Sequence, residues 1–159
     1  MKITKRICAL LLALNMSILI CQPTFASDDT VIIIYKIYDQ NDNFVEEGFI
    51  PTNSNAKINW SGFSLQSGYY VNLRSNSNAF LFDNGDSMTL KYTLASSGTI
   101  TTRFMKTSTS TGTGSVWSST TRTGSSGTIS KTADETTYYY PRMSNTGSNT
   151  ITVTSVSFN

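Results

Sequence analysis

Asp39, Asn41 and Asn43, in the stretch DQNDNFVEE (Asp39–Glu47), stand at alternate positions, as the hard oxygen ligands of a calcium loop do. The pattern then breaks. Phe44 stands where the sharp-turn glycine should be and Ile50 where the bidentate acid should be. The same residues suit a polar hairpin loop in which Asn and Asp supply the turn conformations, and that simpler account is preferred. A second acidic pair, Asp83 and Asp86, flanks Asn84-Gly85, and Asp134-Glu135 forms a third cluster. Ca2+ at Asp39, Asn41, Asn43, Asp83 and Asp86 is the one cofactor the composition leaves open.

Aromatic side chains carry the other chemistry. Trp60, Phe63, Tyr69, Tyr70, Trp117 and Tyr138 to Tyr140 are many for so polar a chain. A flat apolar ring with a polar handle suits wet interfaces, where it stacks on a sugar while a neighbouring Asn or Arg bonds the hydroxyls. Most such rings fill cores. Trp117 is the best exception, because SVWSSTTR holds little else apolar and Val116 points the other way. Tyr70 and Tyr139, each opposite the apparent core face of its strand, come next. Asn72 and Arg74 share the face of Tyr70 and complete the expected ligand-binding set.

What is missing excludes more than what is present suggests. The start, MKITKRICALLLALNMSILICQPTFAS, has Lys2, Lys5 and Arg6, then an apolar run from Ile7 to Ile20, then Thr24-Phe25-Ala26. That layout predicts a cleaved secretory signal over residues 1–26, too short to span a membrane. A lipoprotein at Cys21 is rejected because bulky Ile20 precedes it. Removing the signal takes three of the 12 basic residues and leaves nine against ten acidic ones, net −1. A chain without a basic footprint is a poor partner for nucleic acid or an anionic membrane. Cys8 and Cys21 leave with the signal, and the chain has no His. Residues 27–159 therefore lack the Ser-His-Asp and Cys-His arrangements and the usual zinc, haem and iron–sulfur ligands. Lys36, Lys57, Lys91, Lys106 and Lys131 exist, but nothing places one beside a particular Ser. The expected protein is exported and non-enzymatic.

The elements that must position these residues are strands. In SMTLKYTL, Met88, Leu90, Tyr92 and Leu94 alternate with polar residues at the period of a half-buried strand. YYVNLR sends Tyr69, Val71 and Leu73 inward and Tyr70, Asn72 and Arg74 outward. Asn84-Gly85 predicts a type I′ hairpin between AFLF and SMTLKYTL. TVIIIYKIY (Thr30–Tyr38) is apolar on both faces and reads as a central strand or a protected edge. ITVTSVSF changes phase, which predicts a bulge near Thr154–Ser155. Pro141 lacks a donor and pushes TTYYYPRM towards an edge or a bulge.

From Thr107 to Thr137, 19 of 31 residues are Ser or Thr, which raises the question of a linker. Linkers rich in Gly and Ser carry few β-branched residues, whereas Thr is abundant here. Turn clusters STGTG, TGSSG, TADE and NTGSN recur about every ten residues. SVWSSTTR and GTISK are therefore expected as short strands joined by hairpins. About nine or ten short strands with no helix to cover them predict one all-β domain over 27–159, an antiparallel two-sheet β-sandwich.

The closing run GTISKTADETTYYYPRMSNTGSNTITVTSVSF resembles the final strands of small jelly-roll accessory domains on secreted bacterial proteins, with their Tyr-rich strand, Asn/Gly turn and Thr/Val strand. The resemblance covers about a fifth of the chain and implies a jelly-roll-like architecture alone. The leading expectation is a secreted binding or adhesion module for a polysaccharide or cell-surface component. The second is a self-assembling matrix or surface protein, because TVIIIYKIY has the β-propensity and low charge of self-pairing strands. A small secreted toxin is third, and the lack of apolar residues over Thr107–Ser115 counts against a lipid-facing hairpin.

Overall fold

The computed structural model describes residues 32–50 and 62–159, and all of its regular structure is strand. The expected signal segment with Cys8 and Cys21, and Trp60, lie outside the described residues. Nine strands form among the described residues: β1 (Ile33–Tyr38), β2 (Phe44–Ile50), β3 (Phe63–Leu65), β4 (Tyr70–Ser75), β5 (Phe80–Phe82), β6 (Ser87–Thr107), β7 (Ser115–Thr132), β8 (Thr137–Asn145) and β9 (Ile151–Phe158). Every pairing is antiparallel. The hydrogen-bonded order is β2-β1-β4-β8-β6-β9-β3, with β5 beside β8 and β7 beside β6, in one sheet curled into a half-barrel. The all-β antiparallel class is as expected. The hydrogen bonding, however, runs as a single sheet where the sequence suggested two.

The Ser/Thr-rich stretch is strand and not linker. β7 lies against β6 along its 18 residues, and STGTG forms the loop between them. TGSSG, expected as a hairpin between two short strands, is instead part of a bulge. The register steps from Thr93↔Ser126 to Gly98↔Gly124, so four residues of β6 oppose one of β7. Extra residues on one strand bend it, and Gly124, at φ 152°, accepts the distortion.

At this bend β6 changes its other neighbour. Residues up to Leu94 pair with β9, and residues from Ile100 pair with β8. The β6–β7 ribbon thus carries two wings, β9-β3 on one half and β8-β4-β1-β2 with β5 on the other. The wings meet through rings that share no ladder. Tyr35 of β1 lies 4.8 Å from Phe63 of β3, and Phe80 and Phe82 of β5 lie 4.8 and 5.6 Å from Phe158 of β9. Asn145, fully buried, ties them further by donating to the Leu65 and Asn149 carbonyls and accepting from the Gly147 amide. A buried amide with all these partners satisfied adds order without leaving a desolvated group unpaired.

The alternations predicted for the core hold. Met88, Leu90, Tyr92 and Leu94 are buried, as are Val71 and Leu73, each burial contributing about 1.5–3 kcal/mol. β1 is paired on both sides and alternates buried with half-buried residues, so it is a central strand. Two buried tyrosines need a glycine opposite them. Tyr35 faces Gly48 and Tyr92 faces Gly127, and a Cβ at either glycine would sit 2.5 Å from the ring.

Three sequence signals meet their structural outcome at single residues. The bulge expected near Thr154–Ser155 is present, since Leu94 pairs with Val153 and Thr93 with Ser155, leaving Thr154 extra. Asn84-Gly85 does turn the chain, but not as a type I′ hairpin. Gly85 takes positive φ while Asn84 does not, and the Asp86 amide bonds the Asp83 carbonyl at 3.0 Å, a type II pattern. The turn does not pair its flanking strands, because β5 joins β8 and β6 joins β7. Pro141, finally, is not on an edge strand. On one side of β8, β5 pairs with residues 137–139 and β4 with 142–144, and the proline falls in the gap between them. A residue without an N–H fits where no strand awaits one.

Candidate functional site

Strands alternate their side chains, so the residues between the buried positions of β1, β4 and β8 share the sheet face opposite the main core. β4 lies between the other two strands, with Tyr38↔Tyr70 as partners on one side and Asn72↔Arg142 on the other. Together they floor a groove of about 550 Å3. Ile34, Lys36 and Tyr38 come from β1, Tyr70, Asn72 and Arg74 from β4, and Tyr140 and Arg142 from β8. Asp42 of the β1–β2 turn and Thr111, Thr113 and Gly114 of the β6–β7 loop complete the lining with Ser77. The volume suits a small ligand or a few units of a polymer.

Arg74 anchors the loop that contributes Thr111 and Thr113. It donates to the Ser110 carbonyl at 3.2 Å and the Gly112 carbonyl at 2.7 Å, with its guanidinium 4.1 Å from the Tyr140 ring centroid. Tyr140 itself is buried, and its hydroxyl accepts from the Gly114 amide at 3.2 Å. Loop, β4 and β8 are therefore one rigid piece.

Tyr70 sits in a row of planar groups. Tyr38 stacks beside it, with centroids 5.2 Å apart and planes 15° from parallel, and the Arg142 guanidinium lies 4.2 Å from its centroid. These neighbours belong to the strands on either side of β4, so both faces of the Tyr70 ring are taken. Its hydroxyl donates to Asp42 Oδ1 at 2.8 Å. Burial, reinforced by that bond, pushes its pKa up to about 12, so it remains a donor across the physiological range. Asn72 Oδ1 accepts from Arg142 Nε at 2.8 Å. Tyr70 and Asn72 thus hold the Arg142 plane in place.

The expected ligand set divides. Tyr70, Asn72 and Arg74 lie in the groove, whereas Trp117 and Tyr139 do not. Tyr139 was expected to be exposed and is fully buried in the main core, because it takes the face of β8 that turns inward. The Trp117 ring packs on that core, its centroid 5.3 Å from that of Tyr139, while Val116 points outward and is 53% exposed. Its indole handle is also in use, since Nε1 donates to Asp134 Oδ2 at 2.8 Å. Asp134 Oδ1 accepts from Tyr139 Oη and Lys106 Nζ, each at 2.8 Å, and Glu135 pairs with Lys106 at 2.9 Å. Lys106, Tyr139 and Trp117 hold the Asp134 carboxyl well below the usual carboxylate range. The Lys106 ammonium thus partly neutralises the third acidic cluster, Asp134-Glu135.

The remaining acidic loops show turn chemistry. Asp39 Oδ1 accepts from the Asn41 and Asn43 amides at 2.8 and 2.9 Å, and Oδ2 accepts from Asn43 Nδ2 at 2.9 Å. Those bonds lower its pKa, the Asn43 side chain most. Asp86 Oδ2 accepts from the Asp83 amide at 2.9 Å. No group of three or more acidic or other metal-ligating side chains converges among the described residues.

Sequence reasoning missed Lys36, Tyr38, Tyr140 and Arg142. Lys36 and Tyr38 carry a usable signal, since they share a face at a period of two. Their register against Tyr70 and Arg142 depends on pairings between strands far apart in the chain, which no local pattern encodes. Comparison with protein families, with curated proteins and with solved structures finds no match to this chain.

Proposed function

We infer that the protein is an exported, non-enzymatic binding module whose ligand lies in the groove across β1, β4 and β8, and that the ligand is a saccharide of a polymer or cell surface. The observation that carries this reading is the pre-formed groove itself, aromatic and polar at once, with its loop fixed to the sheet by Arg74. Its hydroxyls, amide and guanidiniums match the hydrogen-bonding edges of sugars, and Tyr70, Asn72, Arg74 and Arg142 are held by neighbours within the protein. Among the described residues Asp42 is the one carboxylate in the lining, and hydrolysis of a glycosidic bond generally uses two. The two wings that face each other across the core serve as the two layers of a jelly-roll-like sandwich, joined at the ribbon. The charged and apolar start of the chain supports export.

The test is retention of the chain on a panel of insoluble polysaccharides and cell walls. Tyr70→Ala should weaken retention about tenfold, because it releases both Tyr38 and Arg142. Trp117→Ala should leave retention intact while costing about 1–3 kcal/mol of stability, having lost a half-buried ring. Binding that is lost with Trp117 and kept without Tyr70 would move the site to β7. No retention on any member of the panel would overturn the reading.

A second reading has its own observation. β2 pairs only with β1 among the described residues, and it exposes Phe44 (59%), Val45 (49%) and Phe49 (56%). An apolar sheet edge invites another strand, so self-assembly through β2 is the alternative. The size of the purified chain against concentration is its readout.

A further inference from the structure

We propose that the groove selects an acidic saccharide, one bearing a carboxylate or a phosphate, with Arg142 as the group that receives the anion; this rests on the saccharide reading of the groove. The charges in the lining are Lys36, Arg74 and Arg142 against Asp42 alone. Lys36 is already 3.0 Å from Glu47, but neither arginine has a carboxylate within 4 Å among the described residues. Two guanidiniums without counter-ions on one sheet face, in a chain whose other charges over residues 27–159 are seven basic against ten acidic, concentrate positive potential in the groove.

The hydrogen-bonding capacity points the same way. A neutral sugar presents hydroxyls that donate as well as accept, and it is best matched by a site offering both. Here the two acceptors nearest the arginine are partly engaged. Asn72 Oδ1 accepts from Arg142, and Asp42 Oδ1 accepts from Tyr70. The charged donors are the strongest groups left to a ligand. Arg74 gives one N–H of each terminal nitrogen to a loop carbonyl and acts as a positioning residue. Arg142 has committed only Nε, and its two terminal nitrogens have no hydrogen-bond partner among the described residues. Stacked on Tyr70 and fixed by Asn72, it presents a rigid fork of donors, the geometry that a planar carboxylate or a phosphate accepts in two bonds at once.

The experiment compares polymers that differ only in charge. The chain is tested for retention on polygalacturonate against its methyl ester, and on dextran phosphate against dextran, at low and high salt. Retention should favour at least one acidic polymer over its neutral partner and should fall with salt. Arg142→Gln should reduce that preference about tenfold, the weight of a charge-assisted bidentate contact. Lys91→Gln, which removes an exposed cation outside the groove, should leave it unchanged. Preference for polygalacturonate alone assigns a carboxylate, and preference for dextran phosphate alone a phosphate. Equal retention of acidic and neutral forms overturns the proposal and leaves the saccharide groove standing, whereas no retention of any polymer removes both. Equal loss in Lys91→Gln and Arg142→Gln also overturns it, since diffuse charge would then suffice. Should Arg142→Gln fail to fold, the acid–ester comparison on the natural chain still decides.

Discussion

Asp134 accepts hydrogen bonds from β6, β7 and β8 through Lys106, Trp117 and Tyr139, and so fastens three strands at one exposed corner. About half its side chain is open to water, which screens the ion pair and leaves the directional bonds as the main contribution. Because its pKa is lowered in the fold from 3.8, the stability it contributes is complete above the ordinary carboxylate range and fades as pH falls through the folded value. The melting temperature should therefore drop between about pH 5 and about pH 2, and drop less in Asp134→Asn. Asp39 titrates in the same direction in both proteins, so the difference between them isolates Asp134. Identical pH profiles would show that the corner does not hold the strands. At this scale the sequence was partly legible. The inward and outward faces of Tyr70, Asn72 and Arg74 follow from alternation alone, but the fates of Trp117 and Tyr139 do not, because each depends on a partner from another strand.

Strands were found where β-branched residues and turn clusters predicted them, and their ends were less secure. TGSSG carries the composition of a hairpin and lies inside β7 instead, since the partner strand β6 takes up the distortion at residues 94–97. Local propensity cannot show whether a glycine pair turns a chain or only bends it. TVIIIYKIY reads as a central strand or a protected edge, and β1 is the central one, so the exposed apolar edge belongs to β2. On β2 the charges Glu46 and Glu47 are engaged with Tyr35 and Lys36 of β1, so they guard the edge less than free charges would. If copies join through this edge, the chain's sedimentation should rise with concentration and Phe49→Lys should abolish the rise. A size that does not change with concentration would remove the self-assembly reading.

Across the whole molecule, one ribbon of two long strands serves both wings, and the count of nine or ten short strands concealed it. The sequence carried the antiparallel class and the core residues, because those are written in periods of two. It did not carry the strand order, which joins β1 to β4, β4 to β8 and β3 to β9 over long intervals of chain. That order also has a consequence in time. Of the nine strands, β9 is synthesised last, yet it is the partner of both β3 and the first half of β6. Until it arrives, β3 has no ladder and Leu90, Tyr92 and Leu94 lack their cover. The ring contacts of Phe158 with β5 are missing as well. Ending the chain at Thr150 should abolish cooperative thermal unfolding; a sharp transition in that fragment would show that the other eight strands suffice. Pairings so distant in sequence close slowly. If the fragment does not unfold cooperatively, a growing chain stays open along β3 and the first half of β6 until the last of the described strands is made.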